Sequence, residues 1–123
     1  MKIYVAVKSS ESRKLNGYMN QLQYLGHTIT HRSTEYDTVG DRKPAGMDII
    51  NADLVIFVMT DPAYTCMRTS AELGLAIETK RKIIVVSPDP LDVAPYTGNI
   101  FLYYPGIKHA TNWEGAMLHL QSE

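Results

Sequence analysis

The chain has 123 residues, 45% hydrophobic and 20% charged, the proportions of an ordinary globular protein long enough to bury a core as one domain. Its formal charge of -1 gives no global attraction for a nucleic acid polymer or anionic lipid, and no apolar run approaches the ~20 residues of a membrane span. A single cysteine, Cys66, excludes an internal disulfide framework and fits a reducing compartment, so a cytoplasmic location is expected.

Residues 2–7, KIYVAV, are β-rich and read as a buried strand, because their apolar part is too short for a signal peptide. Ser9 or Ser10 can cap a following helix, in which Leu15, Met19, Leu22 and Leu25 share one face. Gly26 is placed to stop that helix. Residues 27–31 alternate polar and apolar and suggest a short strand nearer an edge. The polar stretch 32–44 reads as a loop, and Pro44 can open a helix through Ala52 with Met47 and Ile50 inward.

Residues 53–59 form a second apolar run of strand length, followed by a connector punctuated at Asp61 and Pro62. A helix is expected over 69–80, with Leu73, Ala76 and Ile77 on one face, and a buried strand over 82–87. Three prolines mark 88–98 as a loop, and 100–104 reads as a fifth strand. The last helix is expected over 111–121, with Thr111 and Glu114 at capping-box spacing and Trp113, Met117 and Leu120 as its apolar stripe.

Strands alternating with helices imply an α/β fold: a single-domain three-layer sandwich with a five-stranded, largely parallel sheet and helices on both faces. Ligands of such sheets bind beyond the carboxyl ends of the strands. Glu72 is expected there, and two readings apply to it. Thr69 and Glu72 have capping-box spacing, so the glutamate can be a helix cap. A carboxylate in the first helical turn is also favoured by the macrodipole in its ionised form, the form a nucleophile needs. Lys8, Ser9 and Ser10 follow the first strand and can hold a phosphate or simply cap a helix, without a glycine-rich signature to decide. Arg68 can be an anion contact or a surface charge. The four histidines show no ligand spacing with Cys66, so no metal site is expected. Eight tyrosines suit base stacking, core rims or subunit interfaces.

Taken together, KIYVAV, NADLVIFV and SAELGLAIETKRKIIVV resemble the nucleoside 2-deoxyribosyltransferases and their relatives, the deoxynucleoside 5′-monophosphate N-glycosidases. The resemblance covers most of the chain. It rests on Ala52-Asp53 at the start of a strand, Glu72-Leu73-Gly74 in a helix, Lys82-Ile83-Ile84 after it, Gly98-Asn99-Ile100, and Trp113-Glu114-Gly115-Ala116. It implies a Rossmann-like or flavodoxin-like fold and no cofactor. It also implies that Glu72 attacks C1′ of a small-molecule nucleoside or nucleotide, forming a covalent deoxyribosyl ester that another base or water resolves with net retention. Tyr4 would place the nucleophile. Asn99 would reach a neighbouring subunit's sugar site, because members assemble as homodimers or larger. Lys8, Ser9, Ser10, Arg68 and Ser70 would face a 5′-phosphate.

The chain also departs from that pattern. Cys66 stands where many transferases carry an aspartate that handles the base. Arg68 and Ser70 replace small residues, and Ala45 replaces a sugar-binding aspartate for which Asp48 is the nearest substitute. These departures keep open a non-catalytic nucleotide-binding or sensor module on the same fold. A receiver-like or flavodoxin-like regulatory domain is disfavoured by Lys8-Ser9-Ser10, where a receiver needs clustered acids.

Overall fold

The computed structural model describes residues 1–7, 12–30, 43–59, 67–91 and 99–123. Its elements are β1 (Lys2–Val7), α1 (Ser12–Tyr24), β2 (Thr28–Ile29), α2 (Lys43–Ile50), β3 (Leu54–Val58), α3 (Met67–Glu78) and β4 (Lys82–Val86). A short 3-10 helix (Ile100–Tyr103), β5 (Ile107–Ala110) and α4 (Trp113–Gln121) complete the chain. The five strands form one parallel sheet in the order β2-β1-β3-β4-β5. The sequence expectation of an α/β three-layer sandwich holds. No described helix is long and apolar enough to cross a membrane.

The central strands carry apolar residues almost without interruption because both of their faces are covered. Tyr4, Ala6, Val55, Phe57, Ile83 and Val85 join Ile49 of α2 and Leu73 and Ala76 of α3 in one core. Ile3, Val5, Leu54, Ile56, Val58 and Ile84 meet Leu15 and Leu22 of α1 and Met117 and Leu120 of α4 in the other. The registers Ile3 with Leu54 and Leu54 with Lys82 start β1, β3 and β4 nearly level. Their carboxyl ends therefore open on one edge. The strand order reverses between β1 and β3, and this switch point is where parallel sheets of this order leave a crevice.

Two helices end in the same way. In α1, the Gly26 N–H donates to Gln23 O and the His27 N–H to Leu22 O, both at 3.0 Å, with Gly26 at φ 95°. This double closure is the expected glycine stop. In α3 the Lys80 N–H donates to Ile77 O and the Arg81 N–H to Ala76 O, and Lys80 takes the left-handed position at φ 59°.

Several sequence expectations are corrected. The fifth strand is Ile107–Ala110, whereas Ile100–Tyr103 is a 3-10 helix in which Leu102 is buried while Ile100 and Tyr103 are exposed. Asn99 explains the difference, because its side chain accepts the Phe101 N–H and starts a turn. In α2, Met47 and Ile50 are exposed, and Ile49 and Asp48 are buried instead. A spacing of three in a two-turn helix fits either phase, and the core selected the other one. Leu25 lies past the end of α1 and is 47% exposed. The cap of α4 is Asn112 rather than Thr111, its side-chain Oδ1 accepting the Gly115 N–H at 2.8 Å.

Candidate active site

Helix α3 follows β3, the strand beside the switch point, and its face toward the sheet carries Leu73 and Ala76. Glu72 precedes Leu73 and is half-buried at the margin of that packed face. The helix begins at Met67, so Thr69 is an interior residue and Glu72 lies in the second turn. The capping-box reading is therefore set aside, and the macrodipole argument weakens because that effect fades beyond the first turn. Glu72 is held instead by Tyr4. The tyrosine hydroxyl donates to Glu72 Oε2 at 2.9 Å, across 68 residues of sequence. Tyr4 is 1% exposed, so the donor is carried on a ring fixed by the core.

This arrangement joins a rigid strand to the helix that carries the carboxylate. A donor on one oxygen fixes the orientation of the carboxylate plane, and the half-buried site limits competition from water. Both suit a carboxylate that acts as a nucleophile.

The other expected site residues divide. Ser70 lies one turn into α3 and accepts at Oγ a hydrogen bond of 3.2 Å from Asn99 Nδ2. Asn99 is 8% exposed, and its Oδ1 accepts from the Phe101 N–H at 3.1 Å, so the carboxamide bonds at both ends within its own chain. Asp48 is buried in α2, the helix packed beside α3, and its backbone carbonyl accepts from Thr30 Oγ1 at 2.9 Å. Arg68 is in the first turn of α3, and its side chain lies outside the described residues. Lys8, Ser9 and Ser10 also lie outside them, as does Cys66. Among the described residues, no group of three His, Cys, Asp or Glu could hold a metal ion.

A second polar pair was missed from sequence. Ser87 is fully buried at the end of β4, and its Oγ lies 2.7 Å from Asp89 O and 2.8 Å from His109 Nε2. Asp89 O can only accept, so it takes the single hydroxyl hydrogen. His109 Nε2 also lies 3.1 Å from Ser87 O, again an acceptor, so Nε2 carries a hydrogen and donates to both serine oxygens. His109, Pro90, Leu91, Leu102 and Tyr103 line a cavity of about 260 Å³. The sequence signal was hidden because β5 was expected elsewhere, which left His109 outside any strand.

No family model matches the chain, and no curated protein sequence matches it. Among solved structures, the chain is similar to the CMP N-glycosidase BcmB of Clostridium botulinum. The match covers 100% of both chains, with a TM-score of 0.62 and 15% sequence identity. That likeness shows a shared α/β architecture along the whole length. The position of Glu72 and its bond to Tyr4 come from this chain's own structure.

Proposed function

We propose that this chain is an enzyme that cleaves the N-glycosidic bond of a 2′-deoxynucleoside or its 5′-monophosphate, with Glu72 as nucleophile. The observation that carries the reading is the Tyr4–Glu72 hydrogen bond of 2.9 Å, beside the switch point of a parallel sheet. The fold likeness to a protein described as a CMP N-glycosidase supports the reaction class and favours a nucleotide over a free nucleoside. The motifs quoted above support placing the chain, as one domain over 1–123, with the nucleoside 2-deoxyribosyltransferases and their glycosidase relatives.

In the proposed reaction, a Glu72 carboxylate oxygen forms a bond to C1′ as the bond from C1′ to the base nitrogen breaks. The base leaves with the bonding pair and takes up a proton. Water, or a second base, then attacks C1′ of the ester, gives up the proton that balances the one taken up by the departing base, and releases the Glu72 carboxylate, so two inversions give net retention. Tyr4 orients the nucleophile throughout. Lys8, Ser9, Ser10, Arg68 and Ser70 are proposed to contact the 5′-phosphate, and Asp48 the sugar. The enzyme is proposed to work in the cytoplasm as a homodimer or larger assembly.

The test is chromatography of bases released from deoxynucleosides, ribonucleosides and their 5′-monophosphates, with and without an acceptor base. Wild-type protein is expected to release base, with a preference for monophosphates. Glu72→Gln is expected to lose at least about a thousand-fold in rate, the scale seen when a nucleophile is removed, with an unchanged circular dichroism spectrum. Retained turnover in that variant would remove the assignment. The Cys66 and Ala45 departures favour one alternative, a binding module without chemistry. Nucleotide binding by calorimetry with no base released would select it.

A further inference from the structure

The side-chain hydrogen bonds of Asn99 are made within its own chain. Its side chain is buried, with Oδ1 accepting from the Phe101 N–H and Nδ2 donating to Ser70 Oγ. The Leu102 N–H donates to Asn99 O at 3.1 Å, so one residue starts the 3-10 helix and ties it to α3. A second lock lies one turn along. A Cβ on Gly74 would stand 3.2 Å from Phe101 Cε1 and 3.3 Å from Cζ, so the ring lies close against the helix surface at this glycine.

Ser70 and Gly74 are four residues apart and share one face of α3. Glu72 lies midway between them, about 200° around the helix from Ser70 at 3.6 residues per turn. The 3-10 helix therefore grips one side of α3 while Glu72 meets Tyr4 on the other. A roll of roughly 20° about a helix whose side chains extend ~6 Å from the axis moves a carboxylate by ~2 Å. That displacement breaks a hydrogen bond of 2.9 Å. A misplacement of about 1 Å can cost ~10²-fold in rate.

We propose that Asn99 is a positioning residue for Glu72 of the same chain, clasping the 3-10 helix to α3 and so fixing the helix roll that sets Glu72 against Tyr4. The proposal rests on the reading of Glu72 as the nucleophile. It replaces a contact to another subunit's substrate with a bond inside one subunit.

The test uses three variants of the full chain and two kinds of measurement. Asn99→Ala removes both ends of the clasp and is expected to lower kcat by roughly ten- to a hundred-fold with KM near wild type. Asn99→Asp keeps the capping oxygen and can accept from the Ser70 hydroxyl, so it is expected to recover much of kcat. A carboxamide that donated to a substrate sugar oxygen would instead lose that donor in Asn99→Asp and raise KM. Ser70→Ala removes the acceptor of Nδ2 together with a hydroxyl proposed to face the 5′-phosphate, so it is read as kcat at saturating substrate, which is expected to fall the same way if Asn99→Ala fails to fold.

Mixing denatured Asn99→Ala and Glu72→Gln chains and refolding them together is expected to give no recovered turnover. Recovery toward about a quarter of wild type, the share of intact sites in random two-fold dimers, would place Asn99 across the interface and overturn the proposal. So would a raised KM with kcat kept. A readout that needs no turnover separates this idea from the enzyme assignment. The titration midpoint of the Glu72 carboxyl carbon, followed by NMR in ligand-free protein, is expected to move in Asn99→Ala and stay in Asn112→Ala, which alters only the cap of α4. An unmoved midpoint in Asn99→Ala overturns the clasp. Absence of turnover in wild type, with the midpoint moved, overturns only the proposed function.

Discussion

Tyr4 has a ring packed with Ile49, Val55 and Leu73 and a hydroxyl that reaches Glu72. Tyr4→Phe separates the two, keeping the ring and deleting the donor. A hydrogen bond to a charged group is worth roughly 1.5–3 kcal/mol, so turnover is expected to fall about ten- to a hundred-fold. The urea midpoint is expected to shift little, because the packing stays. Stopped or chromatographic base-release assays beside a urea titration check both halves, and an unchanged rate would make the pair a structural tie alone. The sequence singles out Glu72 as a candidate, but not its environment. Thr69 and Glu72 have the spacing of a cap, and nothing local reveals that the helix starts two residues before Thr69. The partner that decides between the readings lies 68 residues away, where spacing rules have no reach. Asn99 repeats the lesson: the motif around it was visible, and the direction of its bonds required the fold.

Buried parallel strands are the elements most legible in a sequence, and β1, β3 and β4 were read to within a residue or two. Each is a run of β-branched and aromatic residues covered on both faces. The edge element β5 was misplaced because Ile107, Lys108 and His109 are only half-buried and carry little apolar signal, while Ile100–Tyr103 imitates a strand in composition. Helix ends depend on single residues, and α3 offers a direct test. Lys80 occupies a left-handed position at φ 59°, where a Cβ costs roughly 1–2 kcal/mol. Lys80→Gly relieves that strain, offset by about 0.5–1 kcal/mol of extra entropy in the unfolded chain. The net expectation is a gain of up to about 1 kcal/mol, read as a higher urea midpoint at unchanged slope. Gly26 already has that solution in α1, so Gly26→Ala is the matched control and should destabilise.

At the scale of the molecule, the sheet order places the crevice between β1 and β3, while the far edge at β5 needs its own closure. The layer architecture followed from alternation alone, whereas the ties across that edge involve charged residues with no periodic signal. Glu123, just beyond α4, supplies one of them. Its carboxylate pairs with Lys108 of β5 through Oε1 and with Lys82 at the start of β4 through Oε2 at 3.2 Å. The hydrogen bond from Lys108 holds the Glu123 carboxyl below its ordinary value of 4.5, with Lys82 adding to the effect and burial opposing it. A lowered folded pKa means the unfolded chain binds the proton more readily as pH falls. The stabilisation is therefore present above about 4.5 and is lost as pH drops through the lower folded value. Both lysines are about half exposed, so solvent and salt reduce the pair to at most about 1 kcal/mol. Thermal unfolding of wild type and Glu123→Gln at low ionic strength is expected to show a higher Tm for wild type at neutral pH. The two curves should converge on acidification below the folded pKa, and added salt should narrow the gap at neutral pH. A gap that persists unchanged in acid would mean that Glu123 acts through packing on the sheet edge rather than through its charge.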